Sequence, residues 1–158
     1  MPKGFEKHRL VAFLFLFTLL SDQLSKLFVV RNLYLGESIN IFPFFNVVRV
    51  QNRGVTFGLL SGTLQPIVLI ILSLVVVWFL IDYARKNKNY RLPASLIIGG
   101  AIGNIIDRIV HKSVVDFLDF HFGSYHWPAF NIADSAIVVG VFVLLLISYS
   151  EEKRERKK

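Results

Sequence analysis

Four blocks of apolar residues set the rhythm of the chain. They run from about Leu10 to Val30, Pro66 to Tyr83, Leu92 to Val110 and Ala129 to Tyr149. Each is close to the roughly 20 apolar residues that a helix needs to cross the hydrocarbon core of a bilayer. The pattern predicts an all-α integral membrane protein, with four transmembrane helices in a single membrane domain over residues 1–158. Between the first two blocks, residues 31–64 break the pattern. Ile39–Phe45 is apolar around Pro43, and Asn46–Asn52 (NVVRVQN) alternates weakly with β-branched residues. That alternation predicts a strand, and so a small, partly β platform lying on the membrane. Gly54, Gly58 and Gly62 follow, where turns or close backbone approach are expected.

Polar residues inside the apolar blocks change this picture. A carboxylate or ammonium in hydrocarbon is costly, so each is a functional hypothesis by default. The first block starts after Lys3, Lys7, His8 and Arg9, as a secretory signal peptide would, yet no small-x-small cleavage site follows it. Asp22 and Lys26 interrupt its far end and share a helix face. The simpler reading is a self-neutralising pair that anchors the helix at the interface; the other is a pair that points inward and braces a site. In the third block, Gly99 and Gly103 form a small-xxx-small pair for close helix approach. Gly100, Asn104, Asp107 and His111 fall on one face. Asp107 beside Arg108 reads first as a structural ion pair, and Asn104 as a cross-helix hydrogen bond. The fourth block carries Asn131 and Asp134 in its first turns, where a helix dipole favours a carboxylate. The second block is a wall.

Composition narrows the classes. The chain is 54% hydrophobic with a mean hydropathy of +0.55. It has no cysteine, which removes disulfides and thiolate sites or nucleophiles. A net charge of +7 invites nucleic acid, but the basic residues form no aromatic-interleaved stripe. Twelve of the 18 Lys and Arg residues lie in the N-terminal arm, the 84–92 connection and the tail. With four spans these share one side, which the positive-inside rule makes cytoplasmic. The platform and the 111–128 loop then face outward, with Asp116 and Asp134 at the mouth of a helix pair.

The chemistry open to these residues is limited. No serine has a nucleophile setting with a histidine base. His111, His121 and His126 with Asp116 or Asp119 match no zinc spacing, and an aromatic belt with Tyr125 and Trp127 explains the last two more simply. Two close aspartates remain. In low dielectric they share a proton, so one can accept a proton from water while the other polarises a carbonyl. That is peptide hydrolysis with no cofactor and no metal. A proton or ion relay and a plain structural network use the same residues, although no inverted repeat or pair of broken helices supports a carrier.

Five segments carry a resemblance: DQLSK (22–26), NRGVTFG (52–58), GGAIGNIIDR (99–108), VVDF (114–117) and FNIADS (130–135). In this order and spacing the sequence resembles the lipoprotein signal peptidases (signal peptidase II), the membrane aspartyl peptidases of bacterial lipoprotein maturation. The resemblance implies Asp116 and Asp134 as the catalytic pair. It implies Asp22, Lys26, Asn52, Gly54, Asn104, Asp107, Arg108 and Asn131 as supporting or substrate-binding residues. Its implied substrate is a prolipoprotein with a lipobox, cut just before a diacylglyceryl-cysteine, at the bacterial cytoplasmic (inner) membrane. Contacts with membrane lipids and sensitivity to globomycin-type inhibitors follow from it, and a monomer suffices. One departure stands out: Val55 and Thr56 follow Asn-x-Gly, where the family often has Ala-Ala. A hydrogen bond from Asn52 to a peptide substrate, and strand addition of that peptide to the platform, are the contacts expected.

Overall fold

The computed structural model describes residues 3–54 and 64–156. Its elements are α1 (Lys3–Asn32), β1 (Ser38–Phe42), β2 (Phe45–Asn52), α2 (Gln65–Lys86), α3 (Arg91–His111), β3 (Val114–Phe122), β4 (Tyr125–His126) and α4 (Ile132–Glu155). Val55, Thr56, Gly58 and Gly62 lie outside the described residues. All four helices are long and apolar enough to cross a membrane. They contain the expected blocks, with one boundary moved. The fourth helix starts at Ile132 rather than near Ala129, because Phe130 is held as a bridge to Leu118 of β3.

The spans differ in what they face. α3 has the lowest mean hydropathy of the four, 1.3, and the most burial: 56% of its window lies inside the protein, against 11–22% for the others. Its polar residues therefore meet protein, and the more apolar α2 and α4 take the lipid. Glycines allow the packing. A Cβ on Gly99 would stand 3.0 Å from the Phe15 carbonyl of α1, and one on Gly103 would stand 2.5 Å from the Asp22 carboxylate. A Cβ on Gly100 would collide with the Ala133 carbonyl of α4. The small-xxx-small pair thus receives α1, and the glycine between its members receives α4.

Residues 31–54 fold as the expected platform, but the 111–128 segment is not a loop. β3 is a nine-residue strand in an antiparallel sheet ordered β1-β2-β3-β4. Its first residues, VVDF, are all buried, so they lack the alternation that marks a half-exposed strand. Pairing with β2 puts Asn46 opposite Asp119 and Val50 opposite Asp116, with a bulge between Val47 and Val50. Arg49 fastens the sheet to the end of α1 by donating to the carbonyls of Val30 and Leu33 at 3.1 and 2.8 Å. Gly54 turns the chain after β2 at a φ of +100°, and a Cβ there would also meet Leu69 of α2 at 2.5 Å.

Asp22 and Lys26 do not anchor α1 at an interface. Both are buried, and Lys26 Nζ sits 2.8 Å from Asp22, 3.1 Å from Asp107 of α3 and 3.0 Å from the Asn104 side-chain oxygen. Asp107 is thus paired with Lys26 and not with Arg108, whose guanidinium instead donates to the Asn104 carbonyl. The inward reading of α1 holds, because two carboxylates and an amide together compensate one buried ammonium. Lys26→Met should leave both carboxylates buried without their cation and lower stability by about 3–5 kcal/mol. Gly100→Val should cost about 1–3 kcal/mol by forcing α4 away from α3. Thermal unfolding in detergent measures both; an unchanged midpoint for Lys26→Met would show that the brace is dispensable.

Candidate active site

Where β3, α3 and the start of α4 meet, a single residue begins the site. Asn131 is the N-cap of α4: its side-chain oxygen accepts from the Asp134 backbone N–H at 2.9 Å, and the Asp134 carboxylate accepts from the Asn131 N–H at 3.3 Å. This reciprocal capping box satisfies two donors of the first turn. The expected capping role of Asp134 is therefore real, but it uses only Oδ2. Its Oδ1 accepts from the Asn104 side chain of α3 at 2.9 Å. Asn131 also turns the other way, donating its Nδ2 to Asp116 Oδ1 at 2.7 Å.

Asp116 comes from β3. Its Oδ2 accepts from Asn52 Nδ2 at 2.9 Å. Asn52 lies opposite Val114, two pairs along from Val50 and Asp116, so Asn52 and Asp116 are diagonal neighbours on one face of the sheet. The Asn52 side-chain oxygen is taken by the Gly54 N–H at 2.8 Å, which fixes the amide with its donors toward Asp116. Asn52 thus holds a carboxylate of the site. All four carboxylate oxygens of Asp116 and Asp134 now have N–H donors, from three asparagines.

A buried network stands behind them. Asp22 Oδ1 accepts from the Ala133 N–H at 2.9 Å, and Asp107 Oδ2 accepts from the Val115 N–H at 3.0 Å. Each brace carboxylate therefore pins the residue just before one of the two site aspartates. Lys26 occupies the Asn104 oxygen, which turns the Asn104 amide nitrogen to Asp134. Asn104 is more than a cross-helix tie. Gln23, which sequence reasoning passed over inside DQLSK, bridges Asp22, the Gly103 carbonyl and Asp107 at 3.1, 3.2 and 3.3 Å. Its adjacency to Asp22 was the only signal, because a largely apolar helix gives no clue to which side is inside.

The electrostatics separate the pair. Asp116 is 2% exposed, while Asp134 is partly open, so the pair is reached from the Asp134 side. Burial pushes the Asp116 carboxyl up to about 6. The charge of Asp134 adds to that, and the hydrogen bonds from Asn52 and Asn131 and the charge of Lys26 oppose it. Arg108 is half-buried, with Asp134, Asp107 and Asp116 as the charges it feels most.

Asp119 stands apart from the pair. Asp119 is three residues from Asp116, so it leaves the strand on the opposite side. There it accepts from Asn46 at 2.8 Å and contacts His126 Nδ1 at 2.9 Å, with His121 stacked on His126 at 4.9 Å. Burial would raise Asp119, but the bonds from Asn46 and His126 win and hold it below the usual carboxylate range. His111 lies apart at the exposed end of α3.

Comparison with known proteins supplies the family. Residues 14–150 match the model for "Signal peptidase (SPase) II". A lipoprotein signal peptidase of Syntrophotalea carbinolica is 47% identical over 141 residues, covering 85% of this chain and 88% of its own. One from Burkholderia thailandensis is 41% identical over 146 residues, covering 89% and 86%. A solved bacterial membrane enzyme superposes with a TM-score of 0.81 at 29% identity, covering 94% of this chain and 92% of that one. A second gives 0.78 at 30% identity over 87% and 90%. With its match nearly end to end and four helices of spanning length, the chain is a multi-pass membrane protease and belongs to the signal peptidase II family of lipoprotein signal peptidases.

Proposed function

We propose that this protease removes the signal peptide of a prolipoprotein by water activated between Asp116 and Asp134. The observation that carries the reading is the pair of electrostatically coupled carboxylates, each with both oxygens held by amide N–H groups. Asp116, buried and raised, keeps the shared proton; Asp134, at the open side, is the ionised partner. Asp134 takes a proton from water as the oxygen attacks the scissile carbonyl carbon, and Asp116 gives its proton to the carbonyl oxygen. Collapse of the tetrahedral diol breaks the C–N bond, and the proton taken by Asp134 passes to the leaving nitrogen. One diol hydroxyl returns its proton to Asp116 as the carbonyl re-forms.

The fold suits a substrate that arrives within the membrane. A cut just before a diacylglyceryl-cysteine places the lipid among the helices and the scissile bond at the level of the sheet, where β3 and the start of α4 hold the pair. The same opening suits globomycin-type peptides. Asp22, Lys26, Asn104, Asp107 and Asn131 serve as positioning residues, Asn52 and Gly54 as the link from the sheet, and Arg108 as a cation beside the pair. One chain supplies all of these groups, so a monomer in a single membrane domain suffices. The basic ends of the helices, read by the positive-inside rule, support termini in the cytoplasm and a sheet at the outer face of the inner membrane.

Cleavage of a purified diacylglyceryl-modified prolipoprotein tests the assignment. Asp116→Asn and Asp134→Asn should each lower kcat by about 10²–10⁴-fold, with the protein still folded and wild type indifferent to chelator. Cleavage retained by both variants would move the chemistry elsewhere. The pH profile gives a second test. The singly protonated pair is the working form, so kcat/KM should decline as Asp116 loses its proton above about pH 6. Asn52→Ala removes a hydrogen bond that favours the ionised form, so this limb should move to higher pH. A limb that stays in place would separate Asn52 from the proton chemistry.

A further inference from the structure

The end of the bundle away from the sheet contains two cavities that the peptidase reaction does not use. The larger, about 560 Å³, lies among α1, the start of α3 and the end of α4. His8, Lys88, Arg91 and Arg154 line it, over an aliphatic wall that includes Leu146. A second cavity of about 360 Å³ shares His8 and Arg91 and continues between α1, α2 and α3, where Phe15 and Ile98 form part of its wall. Arg91 stands between the two and is held in place by donating to the carbonyls of Ala84 and Arg85 at the end of α2. The larger cavity has one acidic residue, Glu151, and it is already engaged by Asn89 and Tyr90 at 2.8 and 2.9 Å.

This arrangement joins three full cations and a histidine to apolar furrows, at the depth where helices leave the membrane. A soluble anion has no use for the furrows, and a zwitterionic headgroup would set its own cation against Lys88 and Arg154. We infer that this end of the bundle is a binding site for one anionic phospholipid, with its phosphate among His8, Lys88, Arg91 and Arg154 and its acyl chains in the two furrows. Basic pockets between membrane helices recognise such headgroups, and each Lys or Arg near the surface contributes about 1 kcal/mol. The site lies at the far end of α1 from the proposed catalytic pair, so a lipid held there joins α1, α3 and α4 without touching the substrate.

Native mass spectrometry of the full chain, released from nanodiscs of mixed phosphatidylglycerol and phosphatidylcholine, tests this. Wild type should retain one phosphatidylglycerol in preference to phosphatidylcholine. Lys88→Gln and Arg154→Gln, both at exposed positions and so compatible with folding, should each reduce that preference about fivefold. Lys86→Gln serves as the comparison, since Lys86 lies at the same end but pairs with Asp82 outside the cavity. Equal retention of the two lipids would overturn the proposal. So would an equal loss in Lys86→Gln, which would mean diffuse surface charge, or displacement of the lipid by inorganic phosphate at millimolar concentration.

Discussion

The structure depends on one deeply buried ammonium group. Lys26 is buried at 3% exposure between Asp22 and Asp107, and it reaches the side-chain oxygen of Asn104 as well. In an apolar surrounding such a charge is tolerable only when every partner is fixed, so α1 and α3 are held in one rotation and one register. Each carboxylate also accepts a backbone N–H: Asp22 takes that of Ala133 on its other oxygen, and Asp107 takes that of Val115 on the same Oδ2 that meets Lys26. A helix start and a strand start are thereby tied to the same charge. The positions of Asp134 and Asp116 follow from theirs, since each is the next residue along the chain.

This makes α3 the inner element of the bundle, although it is the least hydropathic of the four spans. In water the most apolar element would be hidden first; in a bilayer the order reverses, because lipid tails solvate leucine as well as a protein core does. The glycines of α3 serve the same end. By letting α1 and α4 approach its backbone, they bring polar side chains within hydrogen-bonding distance that larger residues would hold apart.

The four spans and the β character of residues 46–52 were legible because each rests on a local pattern of hydropathy. Three features were not. The direction of Asp22 and Lys26 is invisible when the surrounding helix is apolar on every face, and only the neighbouring helix decides it. β3 was read as loop, since VVDF is buried on both faces and shows no alternation; its partner, β2, is more than 60 residues away in sequence. The side-by-side Asp107 and Arg108 suggested a pair, yet neighbours in a helix point about 100° apart, and the true partner of Asp107 was on α1. The candidate pair itself was visible only as two aspartates near a boundary. The segments resembling signal peptidase II singled them out, and the asparagines that link them required the fold.

Asn131 has a consequence beyond its place in a network. Its amide nitrogen holds Asp116, and its oxygen and backbone N–H hold Asp134. One rigid, short side chain therefore acts as a gauge for the gap between two groups on different secondary-structure elements. The lengths of α4 and β3 and the loops beyond them can drift without changing that gap, because the measurement is made locally. A reaction that needs two carboxylates at a fixed spacing gains insulation from the slow movements of helices in a fluid bilayer. The tolerance of the whole then rests on the shortest element in it.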